Sequence, residues 1–137
     1  MKNEKEFLEL KALYKRIDIA WLEEVSEKYE HIHEAEWGEA VISEITGFGS
    51  RGSCTLCNVV KSHIPPEERL SSMLQRHFQE CSKCAYVVMT GAACFKGDNR
   101  KTYNSFINAR TLEDLEEACD AREKHMDNIY TKFKDLD

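Results

Sequence analysis

Much is missing from this 137-residue chain, and each gap closes a class of function. No run of about 18 apolar residues occurs, so nothing in the sequence reads as a membrane span. Met1 to Glu9 is charged throughout and carries no apolar signal segment, so export by a cleaved signal is not expected. Proline is scarce, and both prolines sit together at Pro65 and Pro66. Glycines at 47, 49 and 52 mark a loop. No Gly-Lys-Ser/Thr comes after them, which excludes a phosphate-binding loop. There is no internal repeat and no low-complexity tract. No Ser-His-Asp arrangement is legible.

What is present is a soluble-type composition, 42% hydrophobic and 32% charged, with charge distributed unevenly. Residues 1–50 carry net −6, residues 51–110 net +5 and residues 111–137 net −5. A basic island thus lies between two acidic arms. Such asymmetry suits an anionic partner for the middle, or arms that fold back and neutralise it. The whole chain reads as one domain over 1–137. It comprises an acidic N-terminal helical arm (1–50), a basic cysteine-rich module (51–110) and an acidic C-terminal helix (111–137).

Two Cys-x-x-Cys pairs dominate the middle: Cys54 with Cys57, and Cys81 with Cys84. Two residues between thiolates let one tight turn aim both sulfurs at one point. Two such turns close a tetrahedron around zinc. The 23 residues from Asn58 to Glu80 make a slightly long zinc-ribbon spacing. Cys94 competes as a ligand, and so does His77, one helical turn before Cys81. His63 also lies close enough in sequence to bend back. Structural Zn2+ on Cys54, Cys57, Cys81 and Cys84 is the preferred reading. An iron–sulfur cluster ranks below it, because separated pairs match tetrahedral zinc closely. Cys119 lies on an apolar helix stripe and reads as a small core residue.

The helical readings come from periodicity. From Asn3 to Tyr29 the stripe Phe7, Leu10, Tyr14, Ile17, Trp21 and Val25 predicts one long helix. Thr111 reads as an N-cap, followed by Leu112, Leu115, Cys119, Met126, Ile129 and Phe133. Arg122 interrupts that stripe and is expected to snorkel to water or to pair with an N-terminal carboxylate. Neither face is stable alone, so the terminal helices are expected to pack, antiparallel, within one chain or between two as a homo-oligomer. Glu34 to Ser43 predicts a short helix, with a strand over Val41 to Ile45 as the alternative. Another helix is expected from Pro66, and a short helix or irregular segment from Asn99 to Asn108. The fold class is mainly α with a small embedded zinc knuckle or ribbon.

Three functional classes fit these residues. A four-thiolate zinc has no open position, which favours a non-enzymatic interaction protein with a protein partner. The alternative is a nucleic-acid-binding zinc module, with Arg51, Lys61, Lys83, Lys96, Arg100 and Lys101 as cations and Tyr103 as a stacking ring. Against it stands the acidic pI of about 5.4. A remote third class is a degenerate His-Asn-His-like nuclease, suggested by His63-Ile64-Pro65. Cys57 to His63 is too short for that family's hairpin, and no second histidine comes after Cys84 at the expected place.

Residues 54–103 carry one further pattern: Cys54-Thr55-Leu56-Cys57, Cys81-Ser82-Lys83-Cys84, Thr90-Gly91, Cys94 and Thr102-Tyr103. This resembles small cysteine-rich phage and bacterial proteins with Cys-x-Leu-Cys, Cys-x-x-Cys-Pro, Thr-Gly, Cys and Thr-Pro-Tyr. Ala85 stands where that pattern has proline, and the Thr-Tyr lacks its central proline. The resemblance implies a phage-type accessory protein that binds a host protein in the bacterial cytoplasm, in host takeover or counter-defence. It also raises Cys94 as a ligand or core residue.

Overall fold

The computed structural model describes residues 3–47, 60, 62–70, 72, 90 and 99–135. These residues are mainly helical. The helices are α1 (Glu4–Arg16), α2 (Ile19–Ser26), α3 (Glu34–Thr46), α4 (Arg100–Ile107) and α5 (Leu112–Phe133). Short 3-10 turns occupy Glu27–Tyr29 and Pro66–Glu68. No helix among the described residues is long and apolar enough to cross a membrane.

The N-terminal arm is two helices where periodicity predicts one. Ile17 leaves the helical region at ψ 118, and Asp18 starts α2 by accepting a hydrogen bond from the Trp21 amide at 2.9 Å. A short carboxylate is a better N-cap than helix-interior residue, so the chain breaks where Asp18 offers that cap. The break resets the register of α2. Leu22, not Trp21, takes the core position beside Val25, and Trp21 is left half-buried.

α5 obeys its sequence signals closely. Thr111 and Asp114 form a reciprocal capping box. Leu115, Cys119, Met126 and Ile129 are buried, with Leu112 and Phe133 packed at the margin. α1 and α5 run antiparallel. Tyr130 donates to Glu4 at 2.7 Å and lies over Phe7, while Lys11 meets Glu123 at 2.8 Å further along. The two stripes cover each other within one chain. Phe106 of α4 stacks on Tyr14 and completes the seam.

α3 is helical to Thr46, so the strand alternative over 41–45 fails. Val41 and Ile42 are neighbours on one helix turn and both reach the core, as helical spacing permits. Gly47 ends the helix at φ 74, a left-handed position that suits glycine, with its amide donating to the Ser43 carbonyl at 2.8 Å. Gly38 serves a different need. A Cβ there would run into the Phe106 carbonyl and sit 3.2 Å from the Ala109 Cβ, so only glycine lets α3 and α4 come this close.

Two further expectations change. At the start of the helix expected from Pro66 the chain makes one 3-10 turn, Pro66–Glu68, with Arg69 extended at ψ 131, and the remainder of that expected helix lies outside the described residues. Leu70 beyond the turn is exposed. Arg122 does not snorkel. It is 1% exposed, and its Nη1 donates to Thr102 Oγ1 on α4 at 2.6 Å.

Candidate functional site

The chain's two tryptophans occupy corresponding settings on one side of the bundle. Trp21 lines a surface cleft of about 290 Å³ between α2 and the end of α3, with Glu24, Val25, Lys28, Glu44 and Ile45. Trp37 lines a second cleft, of about 220 Å³, with Tyr29, Glu30, Ile32, Glu34 and Arg110. The clefts are neighbours. Tyr29 lines the second, and its hydroxyl donates to Glu44 of the first at 2.8 Å.

Local sequence explains each position. The Asp18 cap sets the register that turns Trp21 outward. Trp37 lies one turn into α3, whose start is fixed by His33 Nδ1 accepting from the Ala35 amide at 3.1 Å. Trp37 precedes Glu44 and Ile45 by seven and eight residues, which puts all three on one helix face.

Electrostatics at the clefts favour a cationic visitor. Lys28 lies 3.0 Å from Glu44. Hydrogen bonds from Lys28 and Tyr29 hold the Glu44 carboxyl below its usual range, and Glu44 raises the Lys28 ammonium in turn. Arg110 directs Nη1 to the carbonyls of Ile107 and Ala109 at the end of α4, at 2.9 and 3.0 Å. The cations at the clefts thus have acceptors within the fold. Glu24, Glu30 and Glu34 form no ion pair among the described residues and leave negative charge on the rims.

A second polar feature lies between α4 and α5. Asn99 is 1% exposed. Its Oδ1 meets His125 Nε2 at 2.7 Å, and its Nδ2 donates to Thr90 at 3.1 Å. Thr102 Oγ1 donates to the Asn99 carbonyl and accepts from Arg122. This chain of bonds ties α5 to the start of α4 and to Thr90 in the cysteine-rich region. The buried side chains of Asn99 and Thr102 are both partnered, which makes it a specific fastening. His125 is half-buried.

The sequence-derived site residues divide sharply. Cys54, Cys57, Cys81, Cys84, Cys94 and His77 lie outside the described residues, and so do Arg51, Lys61, Lys83 and Lys96. Arg100 and Lys101 are exposed on the first turn of α4, whereas Tyr103 packs partly against the core. Among the described residues no group of three or more metal-ligating side chains comes together. Cys119 is fully buried. Burial, then the charges of Asp120 and Glu116, push its thiol up to about 12. It behaves as the core residue its position suggests, not as a reactive thiolate.

The clefts themselves escape sequence reasoning, because Trp21 fits the apolar stripe of an unbroken helix. Asp18 followed by Ile19-Ala20-Trp21-Leu22 is the available signal, an N-cap opening a new register. Comparison with protein-family models, with curated proteins and with solved structures found no match for this chain.

Proposed function

We propose that this is a non-enzymatic, zinc-stabilised interaction protein whose helical body binds a protein partner. The observation that carries the reading is the pair of half-buried tryptophans in adjacent clefts with acidic rims. Large aromatic side chains that keep accessible surface beside apolar neighbours are the usual anchors of protein interfaces. Retained negative charge disfavours phosphate backbones and favours cationic protein surfaces. The cysteine pairs supply the zinc part of the proposal: Cys54, Cys57, Cys81 and Cys84 as a closed thiolate set, with Cys94 and His77 as alternative ligands. The resemblance of residues 54–103 to phage-type proteins makes a bacterial host protein the proposed class of target, in the cytoplasm.

Exposed Arg100 and Lys101 support the second reading, a nucleic-acid module. One experiment separates the two. Metal-loaded protein is titrated with mixed DNA and RNA across a salt series, beside affinity capture from a bacterial lysate. Capture of a defined protein, without nucleic-acid binding at low salt, is the expected result. Micromolar nucleic-acid binding that falls steeply with salt overturns the protein-partner reading. Metal analysis is expected to find one zinc per chain, lost when Cys54 or Cys81 becomes serine.

A further inference from the structure

The spacing of the two clefts specifies the shape of what enters them. Trp37 marks one cleft, and Glu44 and Ile45 mark the other, all on α3. Seven to eight residues of helix separate them by about 10.5–12 Å. Two side chains seven residues apart on another helix are separated by about the same distance, and they point the same way. The linings carry Glu24, Glu30, Glu34 and Glu44 against Lys28 and Arg110, a net negative charge complementary to lysine or arginine.

We propose that the α2–α3 face is a docking site for a basic amphipathic helix of the partner, laid along α3. Two apolar anchors seven residues apart fill the Trp21 and Trp37 clefts, and flanking lysines or arginines meet the rim carboxylates. The proposal rests on the protein-partner reading and narrows it to one surface and one kind of ligand. Tyr29, bonded to Glu44, forms the saddle between the anchors. Lys28, already matched to Glu44, adds little net repulsion to an incoming cation.

The tryptophans supply the readout, since the chain has two and each reports one cleft. The test uses full-length protein in two single-tryptophan forms, W21F and W37F. The probe is an alanine-based helical peptide of about 18 residues, long enough to hold helix in water. It carries leucines seven residues apart, flanked by lysines. Fluorescence of both forms is expected to change and saturate together. Substituting Glu24, Glu30 and Glu34 with glutamine should weaken binding about tenfold. Substituting Glu117 and Asp120 on α5, both exposed, should leave it within about twofold, and circular dichroism should show all variants folded.

An unchanged affinity in the rim variant overturns the proposal. So does a response from only one tryptophan, or equal binding of a peptide with glutamate in place of lysine. A protein captured from lysate that remains bound to the rim variant would overturn this surface and leave the protein-partner reading standing. Steep salt-dependent nucleic-acid binding would remove both.

Discussion

The α1–α5 pair and the α2–α3 pair grow from similar amphipathic sequence, yet only the first is sealed. Along α1 and α5 the apolar stripes meet face to face, closed by the Phe7–Tyr130 ring contact and by Lys11 bridging to Glu123 and Asp127. Along α2 and α3 the core is supplied by Leu22, Val25, Val41 and Ile42, and the two tryptophans are left at the margin. The difference begins at one residue, Asp18. An unbroken helix would have carried Trp21 inward with the stripe. Core packing and accessible aromatic surface are thereby divided between different side chains of one helix.

The largest effect should come from breaking the sealed pair. Phe7→Ala removes a fully buried ring and is expected to cost about 3–5 kcal/mol, read from urea unfolding midpoints. Within α2 the comparison sharpens. Leu22→Ala is expected to cost about 2–5 kcal/mol, and Trp21→Ala less, although tryptophan is far larger. Equal costs would place Trp21 in the core and erase the distinction. Gly38→Ala should cost about 1–3 kcal/mol by forcing α3 from α4, with Gly38→Val worse. Thr111→Ala should cost about 1 kcal/mol through the α5 cap, read from the same unfolding midpoints.

A last effect, absent at neutral pH, belongs to the sealed side. Cys119 keeps its proton in the fold to about 12, against an ordinary value of 9.0. The unfolded chain therefore releases that proton first, and stability declines as pH rises from about 9 toward 12. Lys11, raised chiefly by its hydrogen bond to Glu123, pushes the same way above its ordinary 10.5. Thermal unfolding midpoints should fall across that window, and less so in Cys119→Ala, referenced to its own neutral-pH midpoint. For the same reason Cys119 should resist thiol reagents at neutral pH in the folded protein.

Much of the helical body is legible in the sequence because its signals agree with one another. In α5 the cap, the first-turn acids and the 3-4 stripe all point one way, and the antiparallel partner follows from two faces that need cover. Legibility fails where local signals compete. Asp18 is both a tolerable helix residue and a good cap, and the stripe conceals its choice. Pro66 can open an α-helix or a 3-10 turn, and the dipeptide Pro65-Pro66 carries no signal that separates them. Arg122 reads as an intruder on an apolar stripe until Thr102, twenty residues earlier, is brought beside it. The clefts are least visible, since a half-buried tryptophan is a property of packing between elements. The paired cysteines carry their own spacing signal.

Gly38 has a consequence for how the chain can be divided. α1, α2 and α3 precede the cysteine-rich region, and α4 and α5 come after it. Three of the principal helix contacts, α1 with α5, α2 with α5 and α3 with α4, therefore join the two ends of the polypeptide. At the Gly38 crossing the two ends approach so closely that no Cβ fits between them. A chain severed between α3 and α4 should yield two fragments that recognise each other through exposed complementary seams. Mixing the two fragments should therefore restore helical circular dichroism that neither shows alone.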